Sequence, residues 1–117
     1  MVTVRLARVY DPPADDDGLR VLVDRLWPRG VRKEGAGVDL WLKDVAPSPA
    51  LRREFGHRHE RFDDFRERYR AELAAGPALG ELRRLEAEHG TVTLLYAARD
   101  VERNHAVVLA EVLAETR

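Results

Sequence analysis

Cysteine is absent from this sequence, and serine and asparagine occur once each, as Ser48 and Asn104. The absence of cysteine excludes a disulfide framework, thiol chemistry and a cysteine-ligated zinc site, and it fits a reducing compartment. Ser48 is followed by Pro49, which is the pattern of a helix N-cap with proline at the first helical position. A serine-nucleophile triad is therefore disfavoured.

The sequence also lacks a long apolar run and a strong charge of either sign. No stretch approaches the roughly 20 apolar residues of a membrane helix, and residues 1–5 have no signal-peptide character. The formal net charge of -1 gives no overall attraction to nucleic acid or anionic lipid. Dinucleotide, phosphate-loop and nucleophile-elbow motifs are missing. We expect a cytoplasmic protein with no membrane association, and nucleic acid is disfavoured as a partner.

What the sequence does contain is enough for one folded domain, residues 1–117, with a single core. Hydrophobic residues make up 44% and charged residues 35% of the chain, as in ordinary globular proteins. Strand patterns lie early and late, with helical patterns between and after them. The order predicts an α/β fold, a small sheet with helices packed on it in two or three layers.

Three segments have the pattern of strands. Residues 2–9 alternate apolar and polar side chains, whereas residues 19–24 and 91–98 are apolar on both faces. The link between the first two segments is too short for a helical crossover, so they should be antiparallel if they are neighbours. The segment around residues 40–43 has no clear type.

Four segments have the pattern of helices. The first begins at Ser48 and ends near Gly56, and the third carries leucines at helical spacing and ends at Gly90. Asp100 is the expected cap of the last helix. The second helix has the clearest pattern, because Phe62, Phe65, Tyr69 and Leu73 form one apolar stripe before Gly76-Pro77.

The segment from Asp24 to Ser48 concentrates basic and aromatic residues. Arginine forks and lysine charges are the usual partners of phosphate or carboxylate, and indole rings can wall a pocket. The ligand-binding candidates are Arg20, Arg25, Trp27, Arg29, Lys33, Trp41, Lys43 and Ser48. The alternative is that both tryptophans belong to the core and that the arginines pair with nearby acids.

A second group follows the late strand, where Asn104 and His105 begin a predicted helix. A histidine near a helix N-terminus stays neutral more readily and can act as an acid, a base or a ligand. We take His105, with Asp24 and His57, as the catalytic candidates and Asn104 as a ligand-binding candidate. The alternative is that Asn104 caps the helix and His105 only packs.

His57 and His59 have the spacing of two metal ligands. A third ligand would have to be Asp63, Asp64 or His105, and a pair of solvated loop histidines is the simpler interpretation. We predict no metal site and no cofactor.

Several long motifs resemble the YeaO-like family, which is classified as domain of unknown function 488, and the resemblance runs over nearly the whole chain. They are Arg20 to Gly30, Trp41 to Ser48, Phe55-Gly56-His57, Leu94 to Ala98 and Asn104-His105-Ala106. The resemblance implies that Asp24, Arg25, Trp27, Pro28, Arg29, Lys33, Trp41, Lys43, Ser48, His57, Asn104 and His105 belong to the family pattern.

The resemblance implies no particular reaction. His59 is not part of the family pattern, which argues against a metal pair with His57. Other branches of the wider class place cysteines near the positions of Tyr96 and Asn104, so a thiol mechanism of those branches has no counterpart here.

Three hypotheses remain open at this point. The first is a pocket for a small anionic or phosphate-bearing ligand, with or without catalysis. The second is a non-enzymatic module that binds single-stranded nucleic acid through the same arginines and indoles. The third is a surface for a protein partner. A concave site with Asp24 facing His105 favours the first hypothesis, and a flat basic stripe with exposed indoles favours the second.

Overall fold

Four strands and four helices make up this computed structural model, which describes residues 2–115. The strands are β1 (Thr3–Arg8), β2 (Leu19–Leu22), β3 (Leu40–Trp41) and β4 (Thr91–Tyr96). The helices are α1 (Pro49–Phe55), α2 (Phe62–Ala75), α3 (Ala78–His89) and α4 (His105–Glu115). Single 3-10 turns cover Lys43–Val45 and His59–Arg61. The segment around residues 40–43, left without a type by its sequence, is β3 followed by the first of these turns.

The sheet has the order β1-β4-β2-β3, and every neighbouring pair is parallel. The first two strands are thus not neighbours, because β4 inserts between them, and the condition for an antiparallel pair is not met. The link of residues 9–18 needs no helix to return along the sheet. An extended chain of that length reaches about 30 Å, whereas a six-residue strand spans only about 20 Å.

The end of this link lies directly against β4. The Thr93 hydroxyl donates a hydrogen bond to the Asp17 carbonyl at 2.7 Å. Gly18 has a φ of +64°, and a Cβ atom there would lie 2.2 Å from the Thr91 carbonyl oxygen. Only glycine combines that backbone conformation with so close an approach. The contact fixes the point at which the chain enters β2.

The two faces of the sheet have different covers. Val21 and Leu94 belong to the main core, to which all four helices contribute buried residues. Their neighbours Leu22 and Leu95 point to the opposite face, since successive strand residues alternate. That second cluster contains Trp27 and other apolar residues from outside the helices. The fold is therefore an α/β sheet with helices on one face and the loop after β2 on the other.

The helices form largely where the sequence patterns place them. Ser48 caps α1 by accepting a hydrogen bond from the Leu51 amide, and α2 buries all four residues of its apolar stripe. The prediction that Asp100 caps α4 is wrong. Asp100 instead accepts hydrogen bonds from the amides of Glu102 and Arg103 in the preceding turn. Asn104 is the residue that caps α4, because its Oδ1 accepts a hydrogen bond from the Val107 amide. No helix among residues 2–115 has the length and apolarity needed to cross a membrane.

Candidate functional site

A cavity of about 650 Å³ opens at the carboxyl ends of β2 and β4. Parallel strands end together at this edge, and the loops that follow them leave a crevice. Five segments line it: the loop after β2, α1 with the residues on either side of it, Phe65 of α2, the residues after β4 and the start of α4. Both groups singled out in the sequence, the segment from Asp24 to Ser48 and the pair of Asn104 and His105, contribute to it.

The lining of this cavity is strongly basic. It includes four arginines, Arg25, Arg29, Arg52 and Arg53, against a single carboxylate, Asp24. The side chains of Arg29, Arg52 and Arg53 make no hydrogen bond or ion pair with any residue in the described range 2–115. Unpaired guanidinium groups are available to an anion.

Arg25 differs from these three because its donors are already engaged. Its Nε lies 3.2 Å from the Pro47 carbonyl oxygen and its Nη2 lies 3.0 Å from that of Ala46. These bonds join the loop after β2 to the residues that precede α1. Arg25 also separates the cavity from a second one of about 560 Å³, which Ser48 and Glu72 line.

Asp24 and His105 face each other at the base of the cavity. Asp24 Oδ1 lies 3.1 Å from His105 Nε2, and Asp24 Oδ2 accepts from the Ala97 amide at 3.1 Å. Both side chains are largely buried. The pair thus links the carboxyl end of β2 to the end of β4 and to the start of α4.

The hydrogen bonds of His105 assign its tautomer. Nε2 lies 3.1 Å from the Val23 carbonyl oxygen, which can only accept, so Nε2 carries a proton. The ring also packs edge-on against Tyr69 at 6.3 Å, and burial raises the pKa of the Tyr69 hydroxyl, which donates to Val45 O. In this arrangement Nε2 is held by the backbone and is not free to accept a proton.

His57 lines the same cavity from its rim. Its φ is +57°, which is uncommon for a residue other than glycine, and its ring lies 5.8 Å from that of Phe55. The three catalytic candidates therefore share one cavity, but only Asp24 and His105 are in contact. Residues held in this backbone region often belong to functional sites.

The tryptophans lie together, as the clustering in the sequence suggests. Their rings meet edge-to-face with centroids 5.5 Å apart, and Trp27 lines the cavity. Trp41 supports it from behind, because its Nε1 donates to the Asp24 carbonyl at 2.8 Å. Trp27 Nε1 donates to the Val31 carbonyl at 2.7 Å, which closes the loop on itself.

Both lysines stack on these indoles and do not reach the cavity. Lys33 Nζ lies 5.8 Å from the Trp27 ring centre, and Lys43 Nζ lies 5.4 Å from that of Trp41. Neither lysine lines the cavity. Both ammonium groups make cation–π contacts outside the cavity lining, and ligand binding by these lysines stays a prediction.

Arg20 and Ser48 also lie outside the lining of this cavity, and ligand binding by them stays a prediction. The Arg20 guanidinium is buried, pairs with Asp17 and donates to the Gly37 carbonyl at 2.6 Å. It lies near the amino end of β2, at the opposite edge from the cavity. The Ser48 hydroxyl caps α1 and donates to Glu72 at 2.6 Å.

Asn104 lies at the cavity, whereas His57 and His59 do not form a metal-binding pair. Asn104 is buried at the cavity and donates from its amide to the Asp100 carbonyl at 2.8 Å. His59 Nε2 lies 2.8 Å from Asp100 Oδ2, so His59 pairs with an acid and not with His57. Within residues 2–115, no group of three or more histidines and acids is arranged to hold a metal ion.

The sequence reasoning missed two of the four cavity arginines, Arg52 and Arg53 in α1. A signal for them exists in the sequence. Neither has an acidic residue three or four positions away, whereas Arg66, Arg68 and Arg84 in the longer helices all pair with such neighbours. An arginine on a helix without a partner at this spacing is free to face a ligand.

The comparisons with known proteins place the chain in a family. Residues 3–117 match the family described as the inactive DUF488-N3 subclade. The chain belongs to this subclade. It is 53% identical over 110 residues to the uncharacterized proteins Rv3073c of Mycobacterium tuberculosis and Mb3100c of Mycobacterium bovis, covering 94% of this chain and 92% of theirs. It is 43% identical to the uncharacterized protein YeaO of Escherichia coli, over 94% of this chain and 96% of that one. No solved structure matches it.

Membership of the DUF488-N3 subclade confirms the resemblance drawn from the sequence motifs. The description of the subclade as inactive concerns the group as a whole and names no ligand.

Proposed function

We propose that this DUF488-N3 protein binds a small phosphate- or carboxylate-bearing ligand in the cavity at the carboxyl end of its sheet, without transforming it. The observation that carries the proposal is the composition of the lining, four arginines against one carboxylate. Three of the four guanidinium groups have no partner within residues 2–115. An anion would satisfy donors that the fold leaves exposed to water.

The start of α4 supports the same proposal. Helix N-termini carry partial positive charge and free amide donors, and α4 begins at the cavity with Asn104 and His105. Asn104 already satisfies the Val107 amide. The partial positive charge of the helix N-terminus thus adds to the positive potential of the arginines and does not form an anion site by itself.

Binding without turnover is favoured by the state of the candidate acid–base pair. The His105 Nε2 proton faces the Val23 carbonyl and Asp24 Oδ2 accepts from a backbone amide. These bonds fix the cavity floor and leave little freedom for proton transfer through those atoms. The family description and the absence of cysteine agree with this assignment.

A surface for single-stranded nucleic acid is the weaker proposal. Base stacking needs exposed aromatic faces, but Trp27 and Trp41 are half-buried, pack on each other and carry lysines on their rings. The four cavity arginines line a concave surface. A labelled oligonucleotide in the binding experiment tests this alternative directly.

The experiment is a thermal-shift titration with inorganic phosphate at constant ionic strength. Phosphate at ten times its Kd should raise the Tm of the wild type by about 5 °C, because a ligand bound only to the folded state adds RT ln(1 + [L]/Kd). The Arg52→Gln/Arg53→Gln variant should lose most of this increase. Both side chains are exposed and unpartnered, so their replacement should leave the fold intact.

The matched control is Arg32→Gln/Arg83→Gln, which removes the same charge outside the cavity. Arg84 is unsuitable because it pairs with Glu81 and Glu88. An equal phosphate effect in the cavity variant and in this control would show that stabilisation comes from general screening of charge, and the proposed site would be rejected.

A further inference from the structure

The cavity has an apolar side as well as a basic one. Trp27 and several prolines and alanines form that side, backed by the buried core rings of Phe55 and Phe65, which stack at 4.6 Å. Its volume lies within the range of about 300–1,000 Å³ that small-molecule sites span. An inorganic phosphate ion would contact the arginines and leave the exposed part of this apolar lining, chiefly Leu26 and the open face of Trp27, in water.

One residue at the cavity is exposed in an unusual way. Leu26 is 65% exposed, more than any other large hydrophobic residue in the described part of the chain, and it lines the cavity next to Arg25 and Trp27. A single exposed leucine is common on protein surfaces, but this one lines the cavity, where it can contact the apolar part of a bound ligand.

Resting on the proposed function, we infer that the ligand is an aromatic phosphate monoester, with its ring against the apolar wall and its phosphate among the arginines. The ring would cover Leu26 and contact Trp27, both in the loop after β2. The phosphate would reach Arg52 and Arg53 in α1 and Arg29 in the loop. Apolar and basic side chains thus both line one cavity, as an amphipathic ligand requires.

The experiment compares phenyl phosphate, inorganic phosphate and phenol by calorimetric titration of the full chain. Phenyl phosphate should bind at least about tenfold more tightly than inorganic phosphate, because its ring removes apolar surface from water. Phenol should show no measurable binding, since it lacks the charge that the arginines recognise.

Two variants of exposed residues test the apolar contact. Leu26→Ser should reduce the ratio of the two Kd values at least about threefold. Val101→Ser is the matched control, because Val101 is 57% exposed and lies outside the cavity lining. The control should keep the wild-type ratio.

The outcomes separate this inference from the function on which it rests. Equal affinity for phenyl phosphate and inorganic phosphate, or an unchanged ratio in Leu26→Ser, would overturn the aromatic ligand and leave the anion site standing. Binding of phenol as tight as that of phenyl phosphate, or no binding of either phosphate, would overturn both.

Discussion

At the scale of single residues, the role of each arginine depends on which hydrogen-bond acceptors lie near it in space. Arg20 and Arg25 are close in sequence, yet Arg20 pairs with buried Asp17 while Arg25 binds two backbone carbonyls. Arg52 and Arg53, which look like an ordinary helix surface, reach the cavity. Sequence spacing predicts helix pairs well, but contacts between a loop and a strand depend on the order of the sheet.

The pair of Asp17 and Arg20 leads to a prediction about stability. Asp17→Asn should lower the free energy of unfolding by about 3–5 kcal/mol at pH 7, because it leaves a buried guanidinium without its carboxylate. Denaturation with urea measures this. Asp16→Asn, which removes only an exposed ion pair with Arg5, should cost less than about 1 kcal/mol.

The same pair sets a dependence on pH. A hydrogen bond from the Ala14 amide, opposed by burial and aided by Arg20, holds the pKa of Asp17 below its usual value. A carboxyl with a lowered folded pKa stabilises the protein above its unfolded pKa of about 4, and that stabilisation is lost as the pH falls through the folded pKa. The difference between the wild type and Asp17→Asn should therefore shrink below about pH 4. A constant difference down to pH 2 would contradict this account.

At the scale of elements, the helices follow their sequence patterns closely, because caps and apolar stripes act within a few residues. The cap and proline of α1 and the stripe of α2 are confirmed. The cap of α4 was misassigned, since Asp100 and Asn104 are both good caps and only the intervening turn decides between them. Strands β1, β2 and β4 are also predicted to within two residues, whereas β3 is not predicted, and no local pattern indicates that β4 separates β1 from β2.

The α2 stripe gives a prediction at this scale. Phe65 is buried and stacks on Phe55, so Phe65→Ala should lower the free energy of unfolding by about 3–5 kcal/mol. Glu67→Ala on the exposed side of α2 should change it by less than about 0.5 kcal/mol. Chemical denaturation of both variants checks this, and a loss below about 1 kcal/mol for Phe65→Ala would mean that α2 is peripheral to the core.

At the scale of the whole molecule, the sheet order explains why two distant segments meet. The loop after β2 and the start of α4 are about 80 positions apart, and His105 contacts Asp24 because β2 and β4 are parallel neighbours. The meeting point at the carboxyl end of the sheet could be predicted from an α/β pattern alone. The contribution of α1 could not, because it depends on how Arg25 holds the residues before that helix.

The central claim is that an anion binds at this edge of the molecule, and an NMR titration with phosphate tests it most directly. Amide resonances of Leu26, Arg52, Arg53 and His105 should shift in a saturable way with one common Kd. Those of Gly18 and Gly90, at the opposite edge of the sheet, should stay in place. Saturable shifts confined to the opposite edge, or no saturable shift anywhere in the cavity lining, would contradict the proposed site.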